Sequence, residues 1–451
     1  MVAQAPPAPA VRRSSVPGRI RVITAVTVAA LALFFTALAV GSSNAREGLR
    51  VIGRDSGPQV VATAGLYLGL SDMDTQVADA LLMGRDYGTQ RVEAIARYEQ
   101  RRSEAHRALL KAFQLSGDNE AGRQTVQSVL DSLGHYELLA GQALLLDQQA
   151  NHAAGPPPAN VVRVYRQATD LMKMVILPQA YNLTLESGTI VRATYDEKSA
   201  MIPLVRFAVV VAGLLALACL VWLQLYLSRR FRRVFGPALL AATAVTLVSL
   251  VAGVGVLGKE ETDLRTAKVT GFDSVLSLAK ARAISNSLHG DQSRYLLDKN
   301  RADTYEHTYL DKSQTVVYLA ATNLDAYQAK VAAGSKDYLG LLGPQLAGPD
   351  GRAVLSAFGR LQDSDHTFRQ LSLGGQTTQA VSERLTQVDA GFETYDKALL
   401  ALADRHQKVF VQASADGENA LDTLWRLLPF AIGAIGLLVL AGVWPRLREY
   451  R

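Results

Sequence analysis

The sequence predicts an all-α integral membrane protein, with four transmembrane helices and two extracytoplasmic four-helix up-down bundles in tandem. Three observations predict it. Four windows of the chain are almost free of charge, each with about the 20 residues an α-helix needs to cross ~30 Å of hydrocarbon. Basic residues gather on alternate connections between those windows. The two long segments that remain carry helical apolar spacing and no convincing run of strand alternation.

In chain order, residues 1–19 form a tail, 20–41 the first span, 42–202 the first outer segment and 203–227 the second span. Residues 228–235 are a short link, 236–257 the third span, 258–426 the second outer segment, 427–445 the fourth span and 446–451 a second tail. The spans are rich in Ala, Leu, Val and Gly, and such small residues suit close helix packing in lipid. A cleaved signal peptide is the competing reading of the first span: Arg12, Arg13 and Arg19 would be its n-region and Ser43-Asn44-Ala45 its cleavage site. Its apolar run exceeds the 7–15 residues of a usual signal h-region, so an uncleaved anchor is expected.

Orientation follows from Lys and Arg near the membrane ends. Arg12, Arg13, Arg19 and Arg21 precede or begin the first span, and Arg229, Arg230, Arg232 and Arg233 crowd the link. Arg446, Arg448 and Arg451 face only Glu449 in the C-terminal tail. All three clusters belong in the cytosol. They hold eleven of the 47 basic residues and one of the 41 acidic ones, leaving 36 basic against 40 acidic residues elsewhere. The net charge of +6 therefore reflects topology and gives no reason to expect nucleic acid. Anionic lipid or an acidic cytosolic partner is the alternative use of those arginines. Trp222 and Trp444 at cytosolic ends and Trp425 at an outer edge fit the interfacial belt. The only cysteine, Cys219, lies in a span, so the outer segments are expected to be stable without disulfides.

Turn signals divide each outer segment into four helices. The first is expected to hold 59–83, 89–115, 119–151 and 159–201, broken at Gly84/Gly88, at Ser116-Gly117-Asp118-Asn119 and at Gly155-Pro156-Pro157-Pro158. The second is expected to hold 259–298, 303–333, 352–373 and 376–425. Val381, Leu385, Val388, Phe392, Tyr395, Leu399, Leu402, His406 and Val409 alternate at spacings of four and three, the stripe of a long bundle helix. Gly53, Gly57 and Pro58 should break the first outer helix near the membrane, and Pro178 should kink the fourth. Two passages align between the halves, Ser71–Leu82 with Ser285–Leu297 and Tyr165–Leu171 with Tyr395–Leu402, which suggests an internal duplication.

No catalytic residue, cofactor site or metal site is predicted. Phosphate loops, nucleophile elbows, His-Glu-x-x-His and cysteine pairs are missing from the sequence. His106, His135, His152, His289, His307, His366 and His406 never fall at ligand spacing. Acid pairs such as Asp363/Asp365 read as solvated helix face, and Asn182-Leu183-Thr184 as a chance glycosylation triplet. Tyr295, Tyr305, Tyr309, Tyr318, Tyr327 and Tyr338 read as bundle core rather than a ligand cleft. The spans lack mid-membrane charge, which argues against conduction.

A span, an outer four-helix bundle and a returning span resembles the sensory half of bacterial chemoreceptors and sensor histidine kinases. Used twice, that unit resembles the GlnX-type tandem transmembrane sensors of actinobacteria. The resemblance rests on layout and carries no binding residue over. It implies a plasma-membrane protein in the lipid bilayer that senses a ligand, or an amino-acid-loaded solute-binding lipoprotein outside, and signals to a cytosolic Ser/Thr protein kinase. A homodimer is a further expectation. With about 35 residues in the cytosol, any output would come from a recruited protein. The competing class is a scaffold or accessory subunit of an envelope or export complex. The candidate cytosolic surface is Arg229, Arg230, Arg232 and Arg233. Candidate docking residues on the distal loops are Arg85, Asp86, Tyr87, Asn151, His152, Lys299, Asn300 and Arg301, chosen because loops one and three of such a bundle lie far from the membrane.

Overall fold

A computed structural model describes residues 16–116, 119–231, 236–334 and 338–448. Among them there are helices and connecting turns but no strand, only an isolated bridge between Tyr318 and Leu339. Arg12, Arg13, Gly117 and Asp118 lie outside the described residues. The helices are α1 (Val16–Arg50), α2 (Gly57–Met83), α3 (Gly88–Leu115), α4 (Glu120–Ala150), α5 (Ala159–Leu171), α6 (Leu177–Phe231) and α7 (Pro237–Arg265). They continue with α8 (Asp273–Leu297), α9 (Ala302–Val316), α10 (Leu324–Ala333), α11 (Pro349–Leu373), α12 (Thr377–Glu383) and α13 (Asp389–Arg448). Among the described residues four helical runs are long and apolar enough to cross a membrane, Gly18–Arg54, Ala159–Arg229, Pro237–Leu297 and Thr377–Arg446, one overlapping each predicted span.

The chain forms two compact units. One comprises Met1–Arg50, Thr194–Arg265 and Ala413–Arg451, and so contains the apolar parts of α1, α6, α7 and α13. Phe34, Leu38, Leu220, Leu223 and Ile435 are in its core. Its helices approach closely at glycine: a Cβ on Gly253 would lie 2.7 Å from Leu38, and one on Gly442 2.6 Å from Leu239. Phe207, Phe430 and Leu437 are exposed by 69%, 76% and 70%. Lipid solvates such side chains and water does not.

The other unit comprises Val51–Ala193 and Thr266–Gln412. The less apolar parts of both halves therefore share one compact body, which the sequence did not reveal. At its centre α2 lies against α3 and α8. Residues 69–84 and 285–298 are buried on every side, so neither central helix has a solvent face there. The cores interlock: Leu82 joins the cluster of the second half, and Leu297 that of the first.

In the first half the helix limits fall close to those predicted. Asn119 caps α4 by accepting from the Gly122 amide, and Asn151 ends it in the left-handed conformation at φ 46°. Near the unit boundary the predicted break at Gly53, Gly57 and Pro58 is instead a π turn, Val51–Ser56, after which the helix goes on as α2. A second π turn, Thr266–Phe272, joins α7 to α8 in the same way. Pro178 follows a third, Met172–Ile176. A widened turn shifts the hydrogen-bond register, so the donor that proline lacks causes no break.

The second half departs from prediction over 303–333. The expected single helix is two, α9 and α10, separated by 317–323. Leu341 and Leu342 donate to the carbonyls of Thr315 and Val316, and the Tyr327 hydroxyl reaches those of Ser313 and Val317. The last carbonyls of α9 are thus taken by another segment, and the β-branched run Thr315-Val316-Val317 offers little helix propensity against that competition. Asn323 then caps α10 through the Ala326 amide. The predicted stripe holds from Val381 to Leu402, with Leu385 only partly buried, but beyond His406 burial passes to Phe410, Ala413 and Leu421 rather than Val409, Asp416 and Ala420. A straight helix drifts against a seven-residue repeat by this amount.

Candidate functional site

The polar residues of Ser71–Leu82 and Ser285–Leu297 face one another along the α2–α8 contact. Arg294, 1% exposed, donates from Nη2 to Asp74 Oδ2 at 2.5 Å, from Nη1 to Asp291 Oδ1 at 2.7 Å and from Nε to the Tyr165 hydroxyl at 3.1 Å. Asp74 also accepts from Tyr136 at 3.2 Å and Thr169 at 2.6 Å. A low-dielectric interior makes each of these contacts strong and each broken one costly.

A second cluster lies on the same seam. Arg384, fully buried, donates from Nη2 to Asp79 Oδ1 at 3.1 Å and to the His289 carbonyl at 3.1 Å. Asp79 accepts from Ser293 as well, and His289 stacks on Phe392 at 4.1 Å between ring centres. Aligning Leu81-Leu82 with Leu296-Leu297 places Asp74 against His289 and Asp79 against Arg294. Exchanging the halves then turns the Asp74–Arg294 contact into the His289–Asp79 neighbourhood. Thr75 and Gly290 mark the crossing: a Cβ on Gly290 would come within 2.5 Å of the Thr75 hydroxyl.

Asp79, His289 and Asp389 have ligand atoms close enough to hold a metal ion. The Arg384 guanidinium already stands among them, with Nη2 3.3 Å from His289 Nε2. That cation fills the electrostatic role a metal would have. Arg384 Nε and Nη1 find no acceptor, so the cluster is incompletely satisfied.

The seam opens beside α6 and α9 into a cleft of about 390 Å³. Asp291 backs it, taking Lys173 at 3.0 Å and a short bond from Lys312, which also donates to Ser287 at 2.7 Å. Burial alone would raise the Asp291 pKa; Lys312, Lys173 and Arg294 outweigh it and hold the carboxyl well below the usual range. Burial together with the neighbouring cations Lys173 and Arg294 outweighs the attraction of Asp291 and pushes Lys312 down to about 8. Burial, aided by Tyr181 and Asp291, raises Tyr67 on the cleft wall to about 12, so its hydroxyl stays neutral.

Of the predicted site residues, the structure joins loops one and three of the first half. Arg85 donates from its amide to the His152 carbonyl and from Nη1 to that of Asn151, and Asp86 accepts from the Ala154 amide. Tyr87 precedes α3 in the same turn, and His152 Nε2 lies 2.7 Å from Asp147. In the second half Lys299 reaches Thr377 at 3.5 Å, Asn300 lies between, and Arg301 holds Asp170 at 2.8 Å. Arg229 is exposed near the end of α6; Arg232 and Arg233 lie outside the described residues, as does the side chain of Arg230. Tyr295, Tyr305, Tyr309 and Tyr327 are core, as expected, whereas Tyr318 is 44% exposed and Tyr338 only partly buried. Sequence reasoning missed the seam and the cleft. The available signal was density: Asp72, Asp74, Gln76 and Asp79 crowd a stretch that is apolar apart from them, Ser71 and Thr75.

Residues 48–196 match the model of one family, described as an actinobacterial sensor domain. The matched stretch nearly coincides with the first of the two segments that make up the α2–α8 unit, Val51–Ala193. No curated protein and no solved structure matches the chain.

Proposed function

We propose that the protein is a non-enzymatic transmembrane relay, with both outer halves in the extracytoplasmic space and both termini in the cytosol. The observation that carries this reading is the sensor-domain match over 48–196, a segment bounded by the two apolar helices α1 and α6. Helical runs Ala159–Arg229 and Thr377–Arg446 each pass from the outer unit into an apolar span without interruption. The proposed input is an amino acid or related solute, free or on a solute-binding lipoprotein that docks at the distal loops. The proposed output is a cytosolic Ser/Thr kinase held at Arg229, Arg230, Arg232 and Arg233. The Asp74–Arg294 contact and the mirrored nearness of His289 to Asp79 support a duplicated sensor unit.

The moving part in this reading is the α2–α8 seam. Coupling across a membrane needs an element with two arrangements that a ligand binds unequally. A buried ionic seam that leaves donors on Arg384 unmet is better suited to rearrangement than a sealed apolar core, because a second arrangement that gave those donors an acceptor would relieve the cost of burying them unpaired. Affinity purification from native membranes followed by mass spectrometry, with and without added amino acids, tests the reading. A co-purifying cytosolic kinase whose yield changes with amino acid and falls on reversing the link arginines is expected. Stoichiometric membrane partners indifferent to amino acid would instead favour a scaffold.

A further inference from the structure

Three ammonium groups border the cleft beside α2, α6, α8 and α9: Lys173, Lys280 and Lys312. One carboxylate, Asp291, serves both Lys173 and Lys312 and is already engaged by Arg294. Among the described residues Lys280 meets an aromatic face rather than an acid, its Nζ standing 5.2 Å from the centre of the Tyr181 ring. The wall therefore carries a surplus of positive charge. Apart from the hydroxyls of Thr184, Ser287 and Thr315 the remaining surface is apolar or aromatic, including Leu177, Ile284 and Leu341, with the Tyr67 and Tyr181 rings edge to face at 6.2 Å. A volume of about 390 Å³ falls within the range of small-molecule sites.

We infer that this cleft binds a small organic carboxylate with a compact apolar or aromatic body. The carboxylate meets the lysine end and Ser287, while the body lies against the aliphatic wall and the two tyrosines. Such an anion competes with Asp291 for Lys173 and Lys312. Asp291 is in turn bonded to Arg294 and so, through it, to Asp74, which connects the cleft to the α2–α8 seam. The assignment deepens the relay reading by naming its ligand class, but its chemistry depends only on the cleft.

Calorimetry on the full chain in detergent tests it with phenylacetate, its neutral isostere phenylacetamide, and inorganic phosphate. Phenylacetate is expected to bind at millimolar concentration or below. The amide, or Lys280→Met with wild-type unfolding temperature, should weaken binding by about tenfold or more, as removal of a charge-assisted contact does. Lys173→Met serves as the second variant should Lys280→Met fail to fold. Equal affinity for the amide, phosphate binding tighter than phenylacetate, unchanged affinity in the folded lysine variant, or no heat at millimolar phenylacetate would each overturn the assignment. Binding without any change in cytosolic partner yield would support the cleft and count against the relay alone, so the two failures are distinguishable.

Discussion

At the scale of single residues, burial decides which ion pairs matter. Arg294 is 1% exposed and holds Asp74 and Asp291, whereas Arg301 and Asp170 have side chains 37% and 46% exposed. Removing one partner of a buried pair leaves an uncompensated charge, at roughly 3–5 kcal/mol. An exposed pair contributes at most about 1 kcal/mol. Arg294→Met should therefore lower the unfolding midpoint of the chain in detergent substantially, and Arg301→Ala hardly at all. Equal midpoints would show that the seam is not held by this pair. Asp74 and Asp79 were visible in the sequence only as acids among mostly apolar residues, and Arg294 only as one polar residue among many in 285–294. Their partners are distant along the chain, and no spacing rule connects positions 74 and 294.

Glu260 belongs to the other unit and sits 1% exposed, its carboxylate 3.4 Å from where a Cβ on Gly417 would stand. Neither oxygen has a hydrogen-bond partner. Burial first, then Asp263 and Glu418, outweigh Lys259 and push its pKa up to about 8. The folded chain therefore keeps a proton that the unfolded chain releases from about pH 4.5 upward, and stability falls as pH rises through that window to about 8. Glu260→Gln should remove this decline. Unfolding temperatures compared at pH 5 and pH 8 should differ less in the variant, and an unchanged difference would show that Glu260 is not the titrating group.

At the scale of elements, close approach sets the constraint. A Cβ on Gly271, in the π turn before α8, would lie 2.7 Å from the Phe410 Cα and 3.0 Å from its amide nitrogen. Backbone cannot swing aside as a side-chain tip can. Gly271→Ala should cost about 1–3 kcal/mol, the usual range for overpacking, read as a lower midpoint in denaturant. Gly65→Ala, which meets no atom within 4 Å, is the control and should be neutral or slightly stabilising. Helix limits such as Gly88–Leu115 and Pro349–Leu373 were legible because glycine, proline and capping residues act locally. The break after Val316 was not, since Leu341 and Leu342 impose it from another segment.

At the scale of the molecule, the four spans were legible because lipid demands long uncharged helices and tolerates few alternatives. The joining of Val51–Ala193 to Thr266–Gln412 was hidden: apolar periodicity reports that a face is buried, and not which helix buries it. Ser71–Leu82 and Ser285–Leu297 could be recognised as similar, yet similarity alone did not show that they touch. Their contact makes the α2–α8 seam the place where a change in either half is felt by both.

The proposed relay requires that the state of this seam reach the end of α6 that it places in the cytosol. The most direct measurement is the labelling rate of Ser228→Cys, in a Cys219→Ser background, by a membrane-impermeant maleimide. Right-side-out and inside-out vesicles would be compared for chains that carry Arg294 and for folded Arg294→Met and Asp74→Asn variants. The relay predicts labelling only from the cytosolic face, at a rate that shifts when the seam is altered. Labelling from the outer face, or one rate for all three chains, would contradict it.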